Sequence, residues 1–166
     1  MIALRSGRVA AAAVTLALSC PVGTASAVAE TKAMLQVNAD GRAGANRHRL
    51  ALTSRAADGR DVMLVISCRV DNAATYGVAL DLGAGPIWNI EGESVRVSQD
   101  GAQDLTRRMD VRDEYLTLGG RSAIAAFKPL LAAGSIGFAV RGRYTASFDL
   151  AAVGAEVRRF RELCPT

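Results

Sequence analysis

The chain has 166 residues, twenty Lys or Arg against sixteen Asp or Glu, three cysteines and one histidine. That length suits one modest core. A net charge of +4 is too mild to mark a nucleic-acid binder, and a lone histidine leaves the common zinc patterns unfilled.

The first segment reads as an export leader. Arg5 and Arg8 give a positive start, and residues 9–19 carry no charge and are mostly Ala, Val and Leu. Pro21-Val22-Gly23 breaks the run, and Ala25-Ser26-Ala27 is a small-x-small cleavage site. The apolar run is too short to cross a bilayer, which takes about 20 residues. Cleavage is expected after Ala27, which leaves 28–166 as a single β-rich domain in the periplasm or outside the cell. A competing reading takes Leu18-Ser19-Cys20 as a partial lipobox, with Cys20 as a lipid-anchored N-terminus. No later segment is long and apolar enough to be a membrane anchor.

Losing the leader removes two arginines and one cysteine. Eighteen cations then face sixteen acids, a net charge of +2, and only Cys68 and Cys164 remain. An even pair of cysteines in an oxidising compartment reads as a disulfide.

Residues 28–32 form a short lead-in, and Met34, Leu35 and Val37 a weak first strand. Asp40 to Gly44 is a loop. Leu50 and Leu52 alternate with Arg49, Ala51 and Thr53 in a second strand, and Asp58-Gly59 is a hairpin turn. The clearest strand is Val62 to Val70, with Val62, Leu64, Ile66, Cys68 and Val70 on one face. Tyr76, Val78, Leu80 and Leu82 make the next alternating set, broken by Gly83-Ala84-Gly85-Pro86. Val95 and Val97 mark a strand ended by Asp100-Gly101. Tyr115 to Leu118 is a short strand closed by Gly119-Gly120. Ser122 is placed to cap a helix over Ala123 to Ala133, which Pro129 kinks or splits. Ile136, Phe138 and Val140 pair back through Arg141-Gly142-Arg143 with Tyr144, Ala146 and Phe148. Asp149 is placed to cap a last helix whose stripe is Val153, Val157, Phe160 and Cys164. The fold class this implies is α+β: an antiparallel β-sandwich or curled sheet with two late helices, stapled by Cys68–Cys164.

The search for chemistry turns up little. His48 lies between Arg47 and Arg49, reads as a solvated strand-edge residue, and is a poor metal ligand beside two cations. No Gly-x-Ser-x-Gly motif supports a catalytic triad. Gly83-Ala84-Gly85 begins like a dinucleotide loop, but Trp88 stands at the third glycine position and no helical pattern follows, so it reads as a turn. The mixed run Asp110 to Glu114 lacks calcium-loop spacing and reads as a solvated face. Neither a metal, a cofactor nor a catalytic residue is expected. Two features point to binding. Trp88 is the only tryptophan, in a loop-like segment, and serves either as an anchor for a partner or as a plug for the core. Arg141, Arg143, Arg158, Arg159 and Arg161 are candidates for one patch holding an anionic head group or cell-wall polymer; the other reading is a scattered, solvated set.

The order of an early strand Leu64-Val65-Ile66-Ser67-Cys68, an Ala-rich segment with Phe127 and Leu130-Leu131, and Phe148-Asp149-Leu150 leading to Leu163-Cys164 resembles small proteobacterial periplasmic proteins of the type VI secretion accessory family called VasI or TagO. More loosely it is similar to the invasion-associated locus B family, whose additional cysteines this chain lacks. The resemblance implies a β-rich envelope protein without catalytic residues. The expected function is therefore a non-enzymatic accessory or binding protein acting through a protein partner or envelope component. The alternatives are an inhibitor of a hydrolase such as lysozyme or a protease, and a minimal carboxylate hydrolase.

Overall fold

The computed structural model describes residues 30–38, 47–70, 74–83, 88, 89, 91–120, 123 and 127–164. The expected leader and cleavage site, Cys20, the expected 40–44 loop and the expected cap at Ser122 lie outside the described residues. Nine strands follow in chain order: β1 (Lys32–Gln36), β2 (Arg47–Arg55), β3 (Asp61–Val70), β4 (Ala74–Asp81), β5 (Glu93–Gln99), β6 (Ala102–Arg112), β7 (Tyr115–Gly119), β8 (Ser135–Val140) and β9 (Tyr144–Asp149). One helix, α1 (Gly154–Leu163), ends the described chain. The strands form one antiparallel sheet in the order β1-β2-β3-β4-β7-β6-β5-β8-β9.

Period-2 alternation explains most of this. On β3, Val62, Leu64, Ile66 and Cys68 are buried, and across the ladder they meet Ser54, Leu52, Leu50 and His48 of β2. Asp58-Gly59 closes that hairpin with Gly59 in the left-handed region at φ 86°. Asp100-Gly101 closes β5 onto β6 with both residues at positive φ, the geometry that matches the twist of a two-residue hairpin.

Strand β6 was not marked by any alternation. It is the longest strand, yet of its described side chains only Met109 is fully buried, and Leu105 is exposed. Its role is to join the two halves of the sheet. Ala102 to Met109 face β5, and Asp110, Val111 and Arg112 pair with β7. The bonding is continuous through it, so a sandwich of two separate sheets is not what forms. The sheet curls instead. Strand β9 comes back against β2, and the Asp149 amide donates to the Thr31 hydroxyl oxygen at 2.8 Å. No ladder among the described residues joins β9 to β1 or β2, so the curl stays open.

The curl encloses a single cluster. Leu50, Leu64, Ile66 and Leu80 from one half meet Val95, Ile136, Phe138 and Phe148 from the other. Phe138 stands between Phe127 and Phe148, with ring centres 6.0 and 6.1 Å away. Helix α1 lies along β1 and β2 and contributes Val153, Val157 and Phe160 to the same core. The helical spacing of four, three and four thus lands where amphipathicity requires. Asp149 caps the turn before this helix rather than the helix itself: its Oδ1 accepts the Ala152 amide at 3.0 Å, and Val153 is the N-cap without a side-chain bond. Of the second expected helix, Ala123 to Ala133, the described residues Ala123 and Phe127 are helical, but its second half is not a continuation of that helix. Pro129–Ala132 is a 3-10 turn, residues 124–126 are outside the described set, and Pro129 at the first position of the turn has no amide to continue a longer helix.

The Cys68–Cys164 disulfide is present, with Cα atoms 6.0 Å apart and a sequence separation of 96. Both cysteines are buried, so the bond is structural. Cross-linking a loop of that length stabilises the fold by about 4–5 kcal/mol in the chain-entropy picture, against a usual total of about 5–15 kcal/mol. The double variant Cys68→Ala/Cys164→Ala is expected to lose about that much in denaturant unfolding; a loss under about 1 kcal/mol would show that the link does not restrain the unfolded chain.

Candidate functional site

The five arginines do not gather in one place. Arg60 precedes β3 and Cys68 lies near its far end, so about 26 Å of strand separates the two regions at roughly 3.3 Å per residue. Arg141 and Arg143 belong to the first region, Arg158 and Arg161 to the second. Arg159 is exposed and lines neither.

At the β2–β3 turn end, side chains interleave. Tyr144 stands edge-on to Trp88, ring centres 5.5 Å apart and planes at 76°. The Arg141 guanidinium lies 5.9 Å from the Trp88 ring centre, and those of Arg143 and Arg60 lie 4.8 and 5.5 Å from the Tyr144 ring. Trp88 is only 8 % exposed, and its indole N–H donates to the Glu114 carbonyl at 3.2 Å. It plugs the core and is not displayed to a partner. Gly83, where the chain leaves β4, has φ 77°, and a Cβ there would sit 2.8 Å from the Asp61 carbonyl oxygen. Close backbone approach to β3 explains this glycine without a nucleotide; Ala84 and Gly85 lie outside the described residues.

Beneath the aromatic pair lies Glu93, a buried carboxylate that the sequence reading did not single out. It accepts both Nε and Nη2 of Arg141 and the Asn89 amide at 2.9 Å. The bonds from Arg141, then the Asn89 amide and the nearby charges of Arg141 and Arg108, hold its carboxyl below the ordinary range against the opposing effect of burial. Arg141 takes φ 52°, left-handed backbone that is unfavourable for a residue with a side chain. The ion pair fastens this hairpin turn to β5.

At the other end is a cleft of about 490 Å³. Its floor is Tyr76, Leu131 and Cys164, all buried; Lys128, Arg158 and Arg161 are exposed on its rim with one acid, Glu162. Arg158 and Arg161 are three residues apart on α1, hence neighbours on one helical face. Neither makes an ion pair among the described residues. The Tyr76 hydroxyl donates to the Cys164 carbonyl oxygen, and burial pushes its pKa upward, so it stays a neutral donor at ordinary pH. Arg158 and Arg161 against the one acid leave a net positive charge on the rim, more than the half-charge of the helix C-terminus opposes. Proximity of Tyr76, Lys128 and α1 across long sequence separations had no one-dimensional signal.

His48 is corrected by the structure: it is buried, not solvated, and its Nδ1 accepts the Asn38 amide at 3.4 Å. The run Asp110 to Glu114 is exposed except for Val111, which is half-buried, as a solvated strand end and turn should be. Among the described residues no group of three His, Cys, Asp or Glu side chains could hold a metal, and no helix is long and apolar enough to cross a membrane. No protein-family model, curated protein or solved structure matches the chain.

The Glu93 pair has a measurable signature. Glu93→Gln is expected to cost about 1.5–3 kcal/mol, the usual range for hydrogen bonds to a charged group. A depressed carboxyl pKa adds stability above the unfolded value and loses it as pH falls through the folded one. The difference between wild type and Glu93→Gln should therefore be full at neutral pH and shrink below about pH 4.5, the ordinary Glu value. A difference independent of pH would show that the charge of Glu93 is not what matters.

Proposed function

We propose that this chain is a non-enzymatic accessory or binding protein of the cell envelope, exported by its leader and acting by holding an anionic group in the cleft beside Cys68–Cys164. The observation that carries the reading is the cleft itself: two arginines without carboxylate partners among the described residues, facing the same concave, mainly apolar space as Lys128. Concave sites with an apolar lining and a few convergent polar groups are the usual form of ligand sites. Guanidinium groups suit phosphate and carboxylate because their planar forks bond both oxygens at once. The leader ending at Ala27, the disulfide-permissive compartment and the resemblance to type VI secretion accessory proteins belong to the same proposal.

The alternatives draw less support. A hydrolase inhibitor presenting Trp88 gains nothing from a tryptophan that is buried and hydrogen-bonded. A carboxylate hydrolase needs an acid whose pKa is raised. Asp58 and Glu93 are instead both pushed down by hydrogen bonds from arginines.

Inorganic phosphate is the minimal probe. Titrated into the oxidised mature chain at low salt, it should shift the arginine side-chain NMR signals of Arg158 and Arg161 before those of Arg141 and Arg143. The shifts should weaken as salt rises, and Arg158→Gln/Arg161→Gln should abolish the site while leaving the fold intact. Equal shifts at all arginines would sink the reading.

A further inference from the structure

We infer that the ligand of this cleft is an acidic amphiphile, a phosphate- or carboxylate-type head on a single apolar chain; the inference rests on the anion-binding reading above. The floor decides the class. Its hydrogen-bonding capacity is already used: the Tyr76 hydroxyl donates to the Cys164 carbonyl, and the Cys164 amide donates to the Phe160 carbonyl at 2.9 Å. What it presents is a phenol ring, the Leu131 side chain and disulfide sulfur. A sugar laid on that floor would lose bonds to water and find no replacements, so each hydroxyl buried there unpaired counts against binding. A methylene chain suffers no such loss and gains from leaving water.

The rim decides the head. Arg158 and Arg161 project from one face of α1, and Lys128 enters from the turn before Pro129. Long cationic side chains lay their apolar stems along such a cleft and keep the charge at its mouth. Chain inward and head outward is thus the orientation the charges select. Size allows it: about 490 Å³ falls within the range of about 300–1,000 Å³ usual for small-molecule sites.

The test uses dodecyl phosphate, kept below its micelle-forming concentration, against the oxidised mature chain in a calorimeter. Inorganic phosphate, octyl phosphate and uncharged dodecyl maltoside are the controls. Dodecyl phosphate should bind one per chain, at least about tenfold tighter than inorganic phosphate, with octyl phosphate between them. Arg158→Gln/Arg161→Gln should weaken it by about tenfold or more, with the near-ultraviolet circular dichroism unchanged as a check on folding. Equal affinity for inorganic and dodecyl phosphate would overturn the amphiphile and leave the anion site standing. Dodecyl maltoside binding as well as dodecyl phosphate would overturn the charged head. No binding of either phosphate to folded protein would overturn both this inference and the reading it rests on.

Discussion

The end of helix α1 is tied to the sheet twice within one residue. The sulfur of Cys164 is bonded to Cys68 on β3, and its carbonyl accepts the hydroxyl of Tyr76 on β4. A ten-residue helix is too short to hold together in water by itself. It persists here because Val153, Val157 and Phe160 enter the common core and because its last turn cannot drift from the strands. Everything at that end of the molecule inherits the constraint. Arg158 and Arg161 face a defined cleft only because the helix that carries them is fixed in rotation and height against β3 and β4.

The opposite end shows the contrasting use of charge. There Arg141 is neutralised by a buried carboxylate, and Arg60 by Asp58 with a further bond to the Leu82 carbonyl. Arginines with their charge already met, stacked on Trp88 and Tyr144, make a stiff closure over the end of the core. Both regions are rich in guanidinium, but among the described residues Arg60 and Arg141 are paired with carboxylates and Arg143 stacks on Tyr144, whereas Arg158 and Arg161 have no carboxylate partner. Charge count alone would rank the two ends equally; the pairing of Arg60 and Arg141 marks the first as structural.

Much of the architecture was readable along the chain. Strands β2 to β5 and β7 to β9 announce themselves by alternation, because a strand with one face in a core has no other way to sort its side chains. The stripe of α1 was readable for the same reason at helical spacing. Strand β6 was not, since it bridges the two halves of the sheet and is dominated by exposed polar residues, so backbone pairing rather than burial defines it. His48 was misplaced because its polarity and its arginine neighbours say nothing of its position opposite Cys68 in the ladder.

The sequence by itself determined that Cys68 and Cys164 sit on inward faces, since periodicity assigns each a face without reference to the other. It also determined the antiparallel, strand-rich class. Only the tertiary structure decided that Arg141 and Arg143 part company with Arg158 and Arg161, that Glu93 is the partner of Arg141, and that Trp88 is a plug. These are matters of distance between residues remote in sequence. Local pattern records which way a side chain faces; what it faces is settled when the sheet curls and the helix is fastened across it.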